Sequence, residues 1–351
     1  MSKLLFLVLF LISSLLLFAE KSAEDFDFLM GKETEHWHYV ERKEDIAFLE
    51  KIKKHYLSFH EPSSPASFCI PPTVHFIWLG PSPFPPRSVE TIRSWMAFHP
   101  EWKFKFWTDR DVDPPCQGME TVFIDSYPFS KLKNCYLSSV NWGEKSDILR
   151  YEILYEEGGV YVDHDALCLR SFAPLHKSYG FYAGLETPHP PILQEGKGSL
   201  TFGNGVIGAR AFHPLIRQTI ENIAQRWDSL AKKYNEADFF SKTQLVMERT
   251  YLALTLTVKE QEALPPDAAL LPAAYFFAKS GIKPLYSEHL FANSWAKEAP
   301  LNLPFQKLTK KLLYKAEKKL ALSYRLLAIF CVSQAVLLYI LIKKIKRRKA
   351  L

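Results

Sequence analysis

The stretch YEEGGVYVDHDALCLR, residues 155–170, constrains the fold of this chain more than any other part of the sequence. Two adjacent glycines, Gly158 and Gly159, end an apolar helical pattern and lead into the run GVYV. Glycine readily adopts the left-handed conformation that ends a helix. A short run of β-branched and aromatic residues is typical of a buried strand. The segment therefore predicts a helix over 147–157, with Ser146 as its N-cap, followed by a turn and a strand.

The preceding part of the chain alternates strands with helices. The segments TVHFIWLG, WKFKFWTD and TVFIDSY are predicted as strands, and SVETIRSWMAFH as a helix between the first two. This alternation favours an α/β fold with a mostly parallel central sheet. Ligands of such sheets bind beyond the carboxyl ends of the strands. Trp78 and Asp109, which end the first two strands, are therefore candidate functional residues.

Two aspartates separated by one residue, Asp163 and Asp165, follow the GVYV strand. Residues i and i+2 of an extended segment point to the same side, so the two carboxylates repel each other unless a cation lies beside them. Oxygen ligands suit Mn²⁺ or Mg²⁺, which can in turn bind a diphosphate. A bare DxD is common on protein surfaces, but here Asp147 and Arg150 precede it on one helical face.

Length and charge exclude several classes of protein. A chain of 351 residues with 48% hydrophobic content can bury the core of a catalytic domain. Its net charge of +6 comes from the C-terminal segment KKIKRRKAL, which holds six cations and no acid. The remaining residues sum to zero, so no nucleic-acid partner is expected.

Both ends of the chain are apolar. Residues 1–19 contain the uncharged run LLFLVLFLISSLLLFA, which predicts a signal peptide or a signal anchor. Residues 326–342 are uncharged and meet the lower length limit of a transmembrane helix. The basic tail 343–351 then places the C-terminus in the cytoplasm and the catalytic domain on the other side, in the Golgi or ER lumen of a eukaryote. The alternative is a buried amphipathic helix with a solvated tail.

The remaining chain divides into a leading segment, a domain and a connection to the predicted membrane helix. Residues 20–69 predict a helical stem and linker, with Ile46, Leu49, Ile52 and Tyr56 on one helical stripe. The domain itself is predicted over 70–300, and 301–325 form a juxtamembrane segment. Four cysteines outside the membrane segment leave two disulfides or none as alternatives.

The segment SDILRYEILYEEGGVYVDHDALCLRSF resembles the sugar-binding DXD region of a glycosyltransferase family. That family includes fungal outer-chain α-mannosyltransferases, mannosyl inositol-phosphorylceramide synthases and the catalytic domains of clostridial glucosylating toxins. Four more segments are similar to family motifs in the expected order: IPPTVHFIWLG, SWMAFHPEWKFKFWTD, GNGVIGARAFHP and HLFANSW. Together they cover residues 70–296. The resemblance implies a Rossmann-like nucleotide-sugar-binding domain of the GT-A type.

The resemblance implies a donor pocket built from five residues. Trp78 would stack on the donor base, and its alternative is a core aromatic residue. Asp147 and Arg150 would hydrogen-bond the sugar hydroxyls, and their alternative is a surface ion pair. Tyr161 would pack against the donor, and Asn204 would line the sugar pocket.

The resemblance also implies a metal site. Asp163 and Asp165 would address the ribose and the metal ion, with Asp165 as the direct ligand. His289 or Ser294 would lie near the metal and the diphosphate, and Trp295 would cover the leaving group. The histidine between the two aspartates receives no role.

The implied activity is metal-dependent transfer of a hexose with retention of anomeric configuration. In that scheme the leaving phosphate oxygen accepts the proton of the acceptor, so no protein base is required. The runs FIDSYPFSKLKNC and DALCLRSFAPL are most similar to the mannosyltransferases that act on inositol phosphoceramides. The expected donor is therefore GDP-mannose and the expected acceptor a glycan or glycolipid, with a UDP-hexose as the alternative donor.

Three other functions remain as alternatives. A toxin-like glucosyltransferase would use a UDP-sugar to modify a protein. A membrane-tethered sugar-binding protein would bind sugar without turnover. A phosphohydrolase of nucleotide sugars would need a second metal cluster or a water-activating base, and the sequence offers no such constellation.

Overall fold

The structure is a computed structural model that describes residues 26–58, 68–193, 198–234, 239–279 and 281–292. The predicted signal segment, the apolar C-terminal segment and the basic tail lie outside these residues, so the predictions about them stay predictions. Within the described ranges, no helix combines the length and the apolar character needed to cross a membrane.

In the part of the chain that the structure describes, nine strands form two sheets. They are β1 (Thr73–Trp78), β2 (Lys103–Thr108), β3 (Glu120–Phe123), β4 (Gly159–Val162), β5 (Ala166–Cys168), β6 (Phe181–Leu185), β7 (Phe202–Ala209), β8 (Ala268–Leu271) and β9 (Ser287–His289). The central sheet has the order β3-β2-β1-β4-β7-β6-β8, and β5 pairs with β9 in a small second sheet. In the central sheet β7 is antiparallel to both neighbours, and the other pairs are parallel. The predicted mixed α/β fold with a mostly parallel sheet is confirmed.

Nine α-helices surround the strands. They are α1 (Phe26–Leu29), α2 (Lys43–Ser58), α3 (Pro86–Phe98), α4 (Lys133–Ser138), α5 (Trp142–Glu156), α6 (Ala173–Ser178), α7 (Pro214–Lys233), α8 (Phe239–Val246) and α9 (Ala253–Glu260) among the described residues. A π-helical turn, Met247–Tyr251, joins α8 to α9, and short 3₁₀ helices cover Glu35–Tyr39, Ile124–Ser126 and Ala273–Tyr275. The helix predicted between the first two strands is α3.

The helix before the two glycines starts earlier than predicted. Helix α5 begins at Trp142 because the Asn141 side chain accepts a hydrogen bond from the backbone N–H of Glu144 at 2.9 Å. The predicted N-cap at Ser146 is therefore wrong, and that residue lies within the helix. The predicted end is confirmed, since Gly158 has a φ of 67° and follows the last helical turn.

Apolar side chains cover both faces of the central sheet. Val160 and Val162 of β4 belong to one buried cluster, and Tyr161 between them belongs to the other. This alternation follows from the two-residue period of a strand. A sheet that is buried on both faces needs helices on both faces. Polar ligands can therefore bind only where the strands end.

Helix α2, predicted as a stem or leading helix, packs on the domain. Phe48, Leu49 and Ile52 are buried, and Lys51 Nζ donates hydrogen bonds to carbonyl oxygens at the end of α9, among them that of Val258 at 2.8 Å. The predicted apolar stripe is wrong at Ile46, whose exposed fraction is 44%. Phe48 takes its place in the core and contacts the ring of a phenylalanine in β7.

The described cysteines are all free thiols. Cys69 is exposed, and Cys116, Cys135 and Cys168 are buried. The sequence left two disulfides or none as alternatives, and the described part of the chain contains no disulfide. Burial raises the pKa of Cys135 to about 11 and that of Cys168 to about 12, so both thiols stay protonated at neutral pH.

Candidate active site

The order of the strands creates a crevice at the carboxyl ends of the parallel strands of the central sheet. Strands β2 and β3 lie on one side of β1, and β4 lies on its other side. This reversal of strand order is the position at which open α/β sheets bind ligands. Trp78 ends β1, Asp163 follows β4, and Asn204 lies near the start of the antiparallel strand β7. All three residues therefore lie at the same end of the sheet, beyond the carboxyl ends of β1 and β4.

Hydrogen bonds fix both aspartates of the DxD segment. The backbone N–H of Asp163 donates to the carbonyl of Gly205 at 2.7 Å, which extends the pairing of β4 with β7. The Tyr161 hydroxyl donates to Asp163 Oδ1 at 2.6 Å. The backbone N–H of Ala292 donates to Asp165 Oδ2 at 2.6 Å. Each aspartate thus keeps a second carboxylate oxygen for another partner.

His289 joins the two aspartates through the small second sheet. The pairing of β5 with β9 places His289 opposite Ala166, the residue after Asp165. His289 Nε2 lies 3.4 Å from Asp163 Oδ2 and 3.5 Å from Asp165 Oδ1. One ligand atom from each of the three residues lies within 4.8 Å of the others. The structure thus brings together the three residues that the sequence proposed as metal ligands.

The chemistry and the space at this cluster fit a divalent cation. Two carboxylates and one imidazole suit Mn²⁺, and Mg²⁺ also accepts such carboxylates. Gly205 faces the cluster, and a Cβ at that position would lie 2.7 Å from Asp163 Oδ2 and 2.8 Å from His289 Nε2. The missing side chain leaves the room that the ligand atoms need. Asp163, Asp165 and His289 are therefore the residues that would hold the ion.

The charges around the cluster keep Asp163 ionised. Burial favours a neutral Asp163, but the Arg150 charge and the hydrogen bonds from His289 and Tyr161 outweigh burial and hold the pKa of Asp163 well below its usual range. Burial likewise lowers the pKa of His289, but Asp163 and Asp165 outweigh it, and the net shift is upward. Asp163 therefore offers a charged oxygen ligand to a divalent cation.

A second polar group lies behind the metal site. Arg150 Nη2 lies 2.7 Å from Asp147 Oδ1, and Asn204 Nδ2 donates to the same oxygen at 3.0 Å. Arg150 Nη1 also donates to the Asn204 carbonyl at 2.5 Å. Asp147 and Arg150 are both buried, so the alternative of a surface ion pair is wrong. Burial raises the pKa of Asp147 despite the opposing effect of Arg150.

Arg150 connects this polar group to the aspartates. Its guanidinium lies 4.2 Å from the centroid of the Tyr161 ring, a cation–π contact. Its Nη1 atom lies 3.6 Å from Asp163 Oδ1. A planar guanidinium donates in several directions at once, so Arg150 fixes the positions of Asp147, Tyr161 and Asp163 together.

Trp78 lies at the other side of the crevice and is largely buried. Its Nε1–H donates to the Ser82 carbonyl at 2.8 Å. Its ring makes edge contacts with Phe84 and His164, at centroid distances of 5.3 and 5.1 Å. His164 received no predicted role, and it is within hydrogen-bond distance of Ser88 Oγ, 2.7 Å from its Nδ1. The role of Trp78 in stacking the donor base stays a prediction.

The sequence prediction omitted a residue of the π-helical turn. The Thr250 hydroxyl donates to Asp147 Oδ2 at 2.7 Å, so both carboxylate oxygens of Asp147 are bound by protein donors. No local sequence pattern marks Thr250, because its contact joins residues 103 positions apart. Ser294 and Trp295, the remaining predicted site residues, lie outside the described residues.

Comparison with protein families supports the resemblance noted in the sequence. Residues 85–182 match the family described as "Glycosyltransferase sugar-binding region containing DXD motif". This range includes β4, the DxD segment and the helix α5 that carries Asp147 and Arg150. The resemblance predicted from the sequence is confirmed over these residues, which are similar to the sugar-binding region of the DXD glycosyltransferases.

Curated relatives show the same similarity. Inositol phosphoceramide mannosyltransferase 3 of Schizosaccharomyces pombe is 28% identical over 165 residues, 47% of this chain and 40% of the relative. Inositol phosphoceramide mannosyltransferase 1 of the same organism is 26% identical over 232 residues, 64% of this chain and 62% of the relative. The match thus spans less than two thirds of either relative. Among solved structures, PaToxG Glycosyltransferase has a TM-score of 0.42 and 18% identity, with 61% of this chain and 76% of that chain covered.

Proposed function

We propose that the protein is a metal-dependent glycosyltransferase that moves a hexose from a nucleotide sugar to a glycan or glycolipid. One observation carries the proposal: the cluster of Asp163, Asp165 and His289 adjoins the buried pair of Asp147 and Arg150 at the reversal of strand order. Both groups belong to the catalytic constellation that the family resemblance implies. A nucleotide sugar needs both, because its diphosphate binds a cation and its sugar needs donors and acceptors of hydrogen bonds.

The residues of this chain bind and orient the donor. Asp163 and Asp165 supply the negative charge that holds Mn²⁺ or Mg²⁺. That ion would act as a Lewis acid and stabilise the charge that develops on the leaving diphosphate. Arg150 stays protonated, because nearby acidic groups raise its pKa although burial opposes them. It keeps its donors in place for the sugar hydroxyls.

The transfer follows from the charges in the transition state. Breaking the bond between sugar and phosphate builds positive charge on an oxocarbenium-like ring. Asp147 is a buried carboxylate beside Arg150 and can stabilise that charge electrostatically. With retention, the acceptor enters on the face that the diphosphate leaves, and the leaving phosphate oxygen takes the acceptor proton. Transfer therefore needs no protein base.

The finer assignment is GDP-mannose as donor and a glycolipid such as an inositol phosphoceramide as acceptor. It is supported by the names of the two fungal relatives. We also propose that the C-terminal segment 326–342 anchors the protein in a membrane, with the domain on the non-cytoplasmic side. A UDP-hexose donor with a protein acceptor is the second candidate within the same chemistry.

Nucleotide release by the full-length chain tests the proposal. GDP-mannose, UDP-glucose and UDP-N-acetylglucosamine are each incubated with the protein and Mn²⁺, with and without inositol phosphoceramide. We expect release from GDP-mannose that the lipid accelerates, with a mannosylated lipid detected by mass spectrometry.

Other outcomes would assign other functions. Release that no acceptor accelerates would favour a phosphohydrolase. A folded protein that binds donor and releases no nucleotide would favour the sugar-binding function without catalysis. When Asp165→Ala is tested in this assay, Asp113→Ala is the control for a general effect of removing a carboxylate. Asp113 is exposed and lies far from the cluster in sequence.

A further inference from the structure

A further buried carboxylate, Glu186, lies at the same end of the sheet. This residue directly follows β6, which runs in the same direction as β4 and is separated from it only by β7. The ends of β6 and β4 therefore point the same way and are two strands apart in the sheet. Glu186 is 8% exposed, and nothing in the donor pocket described above uses it.

The π-helical turn holds this carboxylate next to the sugar pocket. Tyr251 OH donates to Glu186 Oε1 at 2.5 Å, and the preceding residue, Thr250, donates to Asp147 at 2.7 Å. Two consecutive residues thus bind the two carboxylates. π-helical turns inside α-helices occur frequently at functional sites. Their effect here is to fix Glu186 and Asp147 at neighbouring positions.

Cations and aromatic rings connect Glu186 to the metal cluster. Lys279 Nζ lies 3.9 Å from Glu186 Oε2 and 4.7 Å from the centroid of the Phe291 ring. The Phe291 ring lies 4.6 Å from the ring of His289. The Glu186 charge also contributes to the raised pKa of His289. Glu186 therefore lies beside the proposed diphosphate site, on the side away from Trp78.

One oxygen of Glu186 is available to a ligand. Its Oε2 atom has two basic side chains as neighbours, His189 Nε2 and Lys279 Nζ, and each is 3.9 Å away. That distance is too long for a hydrogen bond, and no described residue donates one to Oε2 within 3.5 Å. A carboxylate oxygen that receives no hydrogen bond from the described residues can accept one from a ligand hydroxyl.

We propose that Glu186, with Tyr251, His189 and Lys279 around it, forms the subsite that binds hydroxyl groups of a polyol acceptor. Glu186 Oε2 accepts the hydrogen bond of an acceptor hydroxyl, and Tyr251 holds the carboxylate in position through Oε1. This inference rests on the proposed function, since an acceptor subsite has meaning only beside a donor site.

The test separates acceptor binding from donor chemistry in the full-length chain. Nucleotide release from the active donor is measured at rising concentrations of myo-inositol or methyl α-D-mannopyranoside. In Glu186→Gln, the polyol concentration for half-maximal stimulation should rise about 10- to 100-fold, the effect of losing a hydrogen bond to a charged group. Release without polyol should fall less than about threefold, because the donor contacts remain.

Two further variants guard against a loss of folding. Tyr251→Phe removes only the hydroxyl that donates to Glu186 and should shift the same polyol concentration in the same direction. Glu120→Gln removes an exposed carboxylate of β3 and should leave both measurements as in the wild type. Thermal unfolding of each variant shows whether it is folded.

The outcomes distinguish the subsite from the proposed function. Polyol-free release that falls in parallel with stimulated release would place Glu186 in the donor site and overturn the subsite. Wild-type release that neither polyol stimulates would overturn the subsite and leave the transferase chemistry standing. If the wild type releases no nucleotide, the proposed function fails. Saturation-transfer NMR with methyl α-D-mannopyranoside then decides the subsite, which requires a wild-type signal that Glu186→Gln loses.

Discussion

Replacing Gly205 by alanine should weaken metal binding with little change in the fold. Gly205 lies in β7, and its backbone carbonyl accepts the hydrogen bond of the Asp163 N–H. An added Cβ would lie 2.7 Å from Asp163 Oδ2, 2.8 Å from His289 Nε2 and 3.1 Å from His289 Cδ2. These contacts are too short, so both ligand side chains must move.

The size of that movement sets the expected loss of affinity. Relieving the contacts requires a shift of roughly half an ångström, whereas metal–ligand distances tolerate about 0.2 Å. Changes that misplace metal ligands typically cost about 10- to 100-fold in affinity. We therefore expect Gly205→Ala to weaken Mn²⁺ binding by that factor, measured by isothermal titration calorimetry or by the Mn²⁺ EPR signal.

A matched variant separates this effect from a loss of stability. Val206→Ala, at the next position of the same strand, removes a buried side chain without adding any atom near the ligands. It should lower the free energy of unfolding by about 1 to 3 kcal/mol and leave Mn²⁺ affinity unchanged. A folded Gly205→Ala that binds Mn²⁺ as tightly as the wild type would refute the assignment of the metal site.

Three further predictions test the buried polar groups. Arg150→Lys should lower kcat/KM for the donor about 100-fold, because an ammonium cannot replace the planar fork; a wild-type value would refute this role. Thr250→Val should lower the free energy of unfolding by about 1.5 to 3 kcal/mol in urea titrations, since Asp147 loses a buried donor. Burial lowers the pKa of His75 from 6.5 to about 4 and that of His176 to about 3. Just below pH 6.5 these two histidines therefore bind protons in the unfolded chain but not in the folded chain. Stability should be complete above pH 6.5 and fall as the pH drops towards 4, by up to about 3 kcal/mol for His75 alone; equal urea midpoints at pH 7 and 5 would contradict it.

Local patterns predicted the strands and helices near the DxD segment because their signals are local. The alternation of apolar runs with turn residues is enough to place β1, β2 and β4, and the two glycines end α5. The predicted start of α5 is wrong because the segment NWGE, with Asn141 as the cap, is a stronger helix start signal than Ser146. The direction of β7 has no local signal, since parallel and antiparallel neighbours both read as buried strands.

The site was predictable only where its residues are close in sequence or match a family motif. Asp163 and Asp165 share one strand end, so their spacing alone suggests a cation site. The prediction of His289 as a site residue came only from the family resemblance. Its contact with Asp163 spans 126 positions and depends on the pairing of β5 with β9, which no local pattern indicates. Thr250 and Glu186 have no motif, and their roles follow from contacts that only the folded chain creates.

Metal-dependent nucleotide release by Asp165→Ala tests the central claim most directly. The full-length wild type and the variant are compared with the donor that the wild type uses, in Mn²⁺ and then in EDTA, with Asp113→Ala as the control. We predict that EDTA abolishes release by the wild type. Asp165→Ala should remain folded and release nucleotide about 100- to 1000-fold more slowly in Mn²⁺. A folded Asp165→Ala with wild-type release, or wild-type release that persists in EDTA, would contradict a metal-dependent transferase at this site.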